Sequence, residues 1–503
     1  MAIAAATACG YGVIFSIAPS PRSAELIWVG TDNGLIQLTR DGGKHWSQVA
    51  PRTLVPWSKI SSLDASALDP AAAYVAVDNQ RQDEFRPHVL RTRDFGVTWT
   101  EIDGGLPSGE FVSVVRSDPT RRGLLYAGTA EGVYVSFDDG EHWQSLRLNL
   151  PKAWVRDLLV HDNDLIAATQ GRALWVLDDL TPLRQLAPSL LQESAHLFTP
   201  AAAWRVRPNN NRDTPLPRET AVGQNPPVGA VIDYWLGSEA HGPVTLEIRD
   251  SAGALVRRFS SDDKPEALEA ERYFEEAWLR PPPGLSATPG MHRFVWNLRY
   301  PRPRAIEFEY DIAAVFEEDT PLKVQGSFVL PGSYSVVLTA AGRTLRAPLA
   351  VKLDPRVHTT PAQLQSLLTF GRAVDHTLER TRAGNDSRKE VREKLEALSG
   401  RLIGDAAHKA LLDEAAALRE ALGNDKPGTG FGAVNEQLTA LKADTESADR
   451  APTPAQQQVL AHYSRVLEQA LRAWRAQRAG ALAQLNAHLR AANLPAIDAS
   501  GGD

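Results

Sequence analysis

The 503-residue sequence holds a single cysteine, Cys9. One thiol excludes an intrachain disulfide framework and any thiolate zinc site. It leaves the compartment open, because large exported domains also fold without disulfides. No apolar run approaches the ~18 residues of a membrane span. The net charge is only −7 with both signs interspersed, and no basic stretch points to nucleic acid or to an anionic membrane. There is no His-Glu-x-x-His, no Gly-x-Ser-x-Gly and no Walker sequence. No cofactor and no metal site is therefore expected. The opening "MAIAAATACGYGVIF" is apolar but lacks a positively charged start. It reads as the interior of a longer parental chain and not as a signal peptide.

What the sequence does have is a repeat. "TRDGGKHW" at Thr39, "TRDFGVTW" at Thr92 and "SFDDGEHW" at Ser136 share the frame Ser/Thr-x-Asp-x-Gly-x-x-Trp. From Asp41 to Asp94 is 53 residues, and to Asp138 another 44. Repeats at such periods mark propellers, solenoids or arrays. A residue needed once per repeat belongs to the scaffold, whereas a catalytic residue is needed once per site. Each aspartate is expected to accept hydrogen bonds within its own turn. Gly43, Gly96 and Gly140 are expected at positive φ. Trp46, Trp99 and Trp143 should each fill the space between neighbouring strands and offer an N–H to a carbonyl. His45 and His142 precede the tryptophan in two copies, but Thr98 stands there in the third, which argues against a shared imidazole role.

Around each motif lie four short apolar runs separated by turn signals, such as "VSVVRS", "LLYAGT", "GVYVS" and "HWQSL". Four antiparallel strands per repeat is the composition of a propeller blade. A fourth unit, "VRDLLVHDNDLIAATQGRALWVLDD", keeps three strands and loses the Gly-x-x-Trp ending. Residues 188–227 are dense in Pro and Asn and read as a connector. From 228 to 354 alternating runs return: Val244, Leu246 and Ile248 share one face, as do Phe294, Trp296 and Leu298, and Tyr334, Val336 and Leu338. This predicts a β-sandwich of immunoglobulin or fibronectin type, interrupted by an insertion with a helical run, "EALEAERYFEEAWL". From 355 to 503 the period becomes helical. Thr360-Pro361 with Gln363, and Thr453-Pro454 with Gln456, are capping signals. The second helix should run from Pro454 to about Ala492, with Val459, Tyr463, Val466, Ala470 and Trp474 as a packing stripe. "RAGNDS", "GNDKPGTGFG" and "DRAPTP" read as breaks between helices. The expected fold is thus multidomain and mainly β: propeller blades (1–187), connector (188–227), sandwich (228–354) and helical region (355–503).

The repeated frame resembles the Asp box, or BNR repeat, of sialidases, xyloglucanase-type glycosidases and sortilin-like receptors. Phrases such as "IWVGTDNGLIQLTRDGGKHW", "ALWVLDDLTPLRQL" and "LPGSYSVVL" resemble large bacterial BNR-repeat proteins labelled glycosyl hydrolase or sortilin-like. The resemblance covers most of residues 10–357. It implies an exported, periplasmic or extracellular protein with two propellers, of which this chain matches the C-terminal half. The partners it implies are a polysaccharide or protein ligand and the missing N-terminal propeller. It fixes no reaction, because an Asp box marks a fold.

The chemistry has to be sought in loops. The richest is "VDNQRQDEFRPH", which offers Asp78, Arg81, Asp83, Glu84, Arg86 and His88, and a long charged loop on a propeller rim is a place for ligand contacts. A non-catalytic module that binds glycan or protein is the favoured expectation. A glycosidase would need two facing carboxylates, one with a raised pKa, among Asp78, Asp83, Glu84, Asp103 and Glu110. A sortilin-like module would instead grip an extended peptide. "GTGFGA" at Gly428 follows no strand and reads as a hinge. "HDND" at His161 lacks the remaining ligands of a calcium loop.

Overall fold

The computed structural model describes residues 12–207, 221, 223, 225–264, 284–307, 324–402, 404, 406–423, 425 and 428–499. Cys9, residues 208–220, 222 and 224 of the Pro/Asn-rich connector, and the "EALEAERYFEEAWL" run lie outside the described residues. The chain divides into two compact units, Met1–Pro188 and Ser189–Asp503. No helix is long and apolar enough to cross a membrane among the described residues.

The first unit is a succession of antiparallel meanders. β1 (Ile14–Ser20), β2 (Ser23–Thr31), β3 (Ile36–Thr39) and β4 (Ser47–Gln48) form one sheet in chain order. β5 (Lys59–Ala65), β6 (Ala73–Asp78), β7 (Val89–Thr92) and β8 (Thr100–Glu101) form the second. β9 (Val112–Ser117), β10 (Leu125–Thr129), β11 (Val133–Ser136) and β12 (Gln144–Ser145) form the third. β13 (Val155–His161), β14 (Asp164–Thr169) and β15 (Leu174–Leu177) form a fourth sheet of three strands. Every pairing is between sequence neighbours, so short turns suffice as connections.

Three cores lie between the four sheets. Ala73, Val75 and Val77 of β6 join Trp28, Ile36 and Leu38 of the first sheet. Tyr74 and Ala76 of the same strand join Val112, Val115 and Leu125 of the third. Val114, Tyr126 and Val135 then pack with Val155, Leu158 and Leu165 of the fourth. Alternate residues of a strand point to opposite faces. A strand covered on both faces is therefore expected to be mostly apolar, and β6 is buried at all six positions, with Asp78 at its end.

In the second unit two sheets enclose one core. β16 (Ala195–Leu197), β18 (Ala230–Leu236) and β21 (Gly290–Trp296) make the smaller sheet. The larger runs β17 (Ala203–Arg205), β23 (Arg343–Leu353), β22 (Gly332–Ala340), β19 (Thr245–Asp250), β20 (Leu255–Ser260), with β17 parallel to β23. β16 and β17 come from the segment read from sequence as connector. The predicted faces are the buried ones: Val244, Leu246, Ile248, Phe294, Trp296, Leu298, Val336 and Leu338 all belong to this core.

The helices form a separate core: α1 (Pro361–Leu402), α2 (Lys409–Gly423), α3 (Gly430–Thr445), α4 (Pro454–Gln477) and α5 (Ala483–Ala491), the last two joined through a π turn at Arg478–Leu482. Both capping boxes are present. Thr360 N donates to Gln363 Oε1 at 3.0 Å and Gln363 N to Thr360 Oγ1 at 3.3 Å. The corresponding distances at Thr453 and Gln456 are 2.7 and 3.2 Å. The packing stripe is as expected, with Trp474 buried and Val459, Tyr463, Val466 and Ala470 packed on the same core.

"RAGNDS" does not break a helix, because α1 runs through it for 42 residues. A Cβ on Gly384 would lie 2.7 Å from the Phe431 ring and 3.0 Å from Leu471. The glycine is a notch that lets α3 and α4 approach α1, and this packing outweighs its poor helix propensity.

Candidate functional site

The three acidic turns share one hydrogen-bonding pattern. In the first, Thr39 is fully buried; its Oγ1 donates to Asp41 Oδ1 at 2.9 Å and accepts from Gly43 N at 2.9 Å. His45 N donates to Asp41 Oδ1 at 2.9 Å, and His45 Nδ1 lies 2.6 Å from Oδ2. The second copy repeats this with Thr92, Asp94, Gly96 and Thr98, the Thr98 hydroxyl donating to Asp94 Oδ2 at 2.6 Å. The third repeats it with Ser136, Asp138, Gly140 and His142. Gly43, Gly96 and Gly140 all take positive φ, at 94°, 79° and 93°.

Each carboxylate is thus engaged by its own turn. Hydrogen bonds from His45 hold the Asp41 carboxyl below its ordinary range, and those from Thr98 do the same for Asp94. At Asp138 burial pushes upward, but the His142 and Ser136 bonds prevail and the value falls. The position before the tryptophan does share a role in all three copies: a side-chain hydrogen bond to the aspartate, which a hydroxyl supplies as well as an imidazole.

The tryptophans differ between copies. Trp99 Nε1 donates to Val49 O at 2.8 Å, and Trp143 Nε1 to Ile102 O at 2.6 Å. Each acceptor directly follows the last strand of the preceding sheet. A Cβ on Gly96 or Gly140 would lie 2.7 Å from Val49 or 2.5 Å from Ile102. Trp46 and Gly43 have no such neighbour among the described residues. Trp46 is 45% exposed and its Nε1 turns back to Gly43 O at 3.1 Å.

The loop between β6 and β7 separates the predicted ligand residues into two groups. Asp78 is buried; its Oδ2 pairs with Lys59 Nζ at 3.1 Å and its Oδ1 accepts from Gln80 N at 3.0 Å. That carboxylate holds the loop. Arg81, Asp83 and Arg86 are exposed, with Arg81 loosely set 3.8 Å from Asp32. Asp83 has φ 57°, a left-handed conformation that Asp tolerates better than most side chains. Phe85, between them in sequence, is 44% exposed and lies 6.4 Å from Phe111, which in turn meets Trp154 edge-on at 5.2 Å.

Glu84 faces inward. It accepts from Arg86 N at 2.8 Å and Arg86 Nε at 3.0 Å, and its Oε2 lies 2.5 Å from His88 Nε2. Burial would raise its pKa, but the His88 and Arg86 bonds dominate and hold it at about 2. His88 Nδ1 lies 3.1 Å from Glu101 Oε1. Burial disfavours the imidazolium, yet the two glutamates outweigh it and the pKa rises. Burial and the adjacent Glu101 push Asp103 upward. Glu101 was not singled out from sequence. Its signal was the β7–β8 hairpin: Leu90 pairs with Glu101, so two residues further along each strand His88 falls opposite Asp103. Glu110 is separate, held by Thr129 Oγ1 at 2.7 Å and Tyr134 OH at 3.3 Å.

Two arginines and a tyrosine converge on Asp139. Tyr74 OH donates to Asp139 Oδ1 at 2.5 Å, Arg91 Nη1 to Oδ2 at 3.0 Å, and Arg93 also pairs with it. Burial first, then the Asp139 hydrogen bond, raises the tyrosine pKa, so this hydroxyl stays protonated. The adjoining cavity, lined by Arg93, Arg121 and Arg122, is about 20 Å³, room for a water and not for a sugar. "HDND" is the β13–β14 turn, where Asn163 Oδ1 accepts from Arg184 Nη1 at 2.7 Å.

No family model and no curated protein matches the chain. Among solved structures it is similar to YCF48 bound to D1 peptide, at 21% identity over 33% of this chain and 52% of that one, with a TM-score of 0.26. It is similar to YCF48 from Cyanidioschyzon merolae, at 19% identity over 33% and 53%, with a TM-score of 0.26. It is also similar to the GH74 xyloglucanase from Xanthomonas campestris, at 14% identity over 33% and 29%, with a TM-score of 0.27. The chain spans about half the length of the first two. Likenesses this slight do not bear on what the chain does.

Proposed function

We propose that residues 12–187 are consecutive blades of an Asp-box β-propeller in an exported protein, and that the chain is a glycan-binding module without a complete active site of its own. On this reading the two sheets around one core between Ala195 and Leu353 are an immunoglobulin-like or fibronectin-like sandwich. The propeller reading rests on the indole relay, in which Trp99 and Trp143 each reach the sheet before their own. Uncovered Trp46 and Gly43 then mark a seat for one more sheet of the same kind.

The observation that carries the binding reading is Phe85. A half-exposed aromatic ring set among the exposed Arg81, Asp83 and Arg86 offers an apolar face and flanking polar groups. Sugars, with an apolar face of C–H groups and a rim of hydroxyls, match that combination. The glycosidase alternative is weaker on the same residues. Asp78 is neutralised by Lys59, Glu84 by His88 and Arg86, and Glu110 is held by two hydroxyls. Asp103 is pushed upward, and its acidic neighbour Glu101 lies beside it on the same hairpin.

A glycan array probed with the intact chain tests this. Binding to a defined saccharide class, weakened at least tenfold in Phe85→Ala, is the expected result. Recovery of peptide ligands with no saccharide binding would replace glycan with protein as the partner class. Hydrolysis of any polysaccharide by the chain alone would overturn the module reading.

A further inference from the structure

The His88 cluster poses a problem of charge. Glu84 Oε2 lies 2.5 Å from His88 Nε2, and Glu101 Oε1 lies 3.1 Å from Nδ1. A neutral imidazole carries one N–H and one lone pair. If Glu84 takes the N–H, the lone pair on Nδ1 faces Glu101 with Asp103 beside it. A second ring proton on Nδ1 answers the carboxylates on that side, and a metal cation that displaces this proton answers them as well. Among the described residues this is the one place where ligand atoms of three such side chains, His88, Glu101 and Asp103, lie within 4.8 Å of one another.

We propose that His88 Nδ1, Glu101 and Asp103 bind a divalent transition-metal cation of the zinc type, with Glu84 as the positioning residue that fixes the imidazole. This site does not depend on the glycan-binding reading. One nitrogen and two carboxylate oxygens suit zinc, which takes three protein ligands and a water at open sites, whereas calcium prefers six or more oxygens. A neutral imidazole and two carboxylates balance the 2+ charge. Zinc–ligand bonds of about 2.0–2.2 Å place ligand atoms roughly 3.4 Å apart, so the set must close by an ångström or so. Glu101 can supply that movement, because its side chain is 55% exposed. A carboxylate on the far nitrogen of a ligating histidine is the usual outer-shell partner, and it raises the basicity of the ligating nitrogen. Glu84 stands at that place, and the Arg86 N–H groups hold Glu84 in turn.

The test is calorimetric titration of the full chain with zinc chloride, with cobalt(II) as a spectroscopic stand-in. One strong site per chain is expected, with a cobalt visible band of tetrahedral intensity. His88→Gln should weaken zinc at least 100-fold and abolish that band. Glu84→Gln should weaken it about tenfold, within the range for outer-shell partners, and keep the band. Circular dichroism of each variant checks that the fold is intact. Exposed His45 and His142, each beside an aspartate, are the obvious competitors. The His45→Gln/His142→Gln double variant should therefore bind as tightly as the parent. No strong binding in the parent, or equal binding in parent and His88→Gln, would overturn the proposal.

Discussion

The acidic turns of the first unit and the ion cluster at Phe328 in the second both depend on carboxylates, but they satisfy them in opposite ways. Among the described residues, Asp41, Asp94 and Asp138 are bonded by groups two to four residues away. At Phe328 the partners are distant in sequence. Arg299 Nη1 meets Glu446 Oε2 at 2.9 Å, Arg207 Nη2 meets Asp449 Oδ1 at 2.8 Å, and buried Arg205 also pairs with Asp449. Lys442 Nζ, also buried, lies 2.7 Å from Asp375 Oδ1 and from Ser327 Oγ. The guanidinium carbons of Arg299, Arg207 and Arg205 sit 3.5, 4.9 and 5.3 Å from the Phe328 ring centroid. A local turn can be copied from repeat to repeat. A cluster assembled from β17, the segments that bridge at Arg299 and Phe328, and the helices cannot be copied in that way, and it ties helices to sheets. The difference teaches that the acids of the three turns shape the backbone locally, whereas those at Phe328 join elements.

The strongest way to break this comparison is Glu446→Ala. It leaves Arg299 and Arg207 short of a buried partner, and losing one member of such a group costs about 3–5 kcal/mol. Urea unfolding followed by far-ultraviolet dichroism should show it, and a loss below about 1 kcal/mol would mean that the cluster joins nothing. Next comes a matched pair in the first unit. Trp143→Ala should cost about 3–4 kcal/mol, as for other buried aromatics, while Trp46→Ala, at an uncovered seat, should stay within about 1 kcal/mol. Equal losses would show that the indole relay is not what holds sheet to sheet. Thr453→Ala removes one reciprocal cap and should cost about 1 kcal/mol, read as a lower denaturation midpoint. The smallest effect concerns acid. The turn aspartates have folded pKa values below their ordinary 3.8. Their contribution is therefore complete above that pH and is lost as pH falls through the folded values. The stability gap between the parent and Asp94→Asn should be widest above pH 4 and narrow steadily below it.

The same contrast decides what could be read from the sequence. The meanders were legible because every bond of an acidic turn lies inside eight residues, and because β6 is apolar at the positions facing both cores. The caps at Thr360 and Thr453 were legible for the same reason. Gly384 was misread because its purpose is the clearance beneath Phe431 and Leu471, which are remote in sequence. Glu101 was overlooked beside the loop that holds Glu84 and His88, although counting across the hairpin would have found it. The Phe328 cluster left no local trace: Arg205 and Asp449 are 244 residues apart.

The unequal tryptophans also make the molecule its own optical gauge. Trp46, Trp99 and Trp143 stand in one sequence frame, yet the first is open to solvent and the third is 5% exposed. In a variant whose other indoles are silenced, any chain that settles over the first sheet should shift the emission of Trp46 to the blue and leave the remaining two unchanged as internal standards.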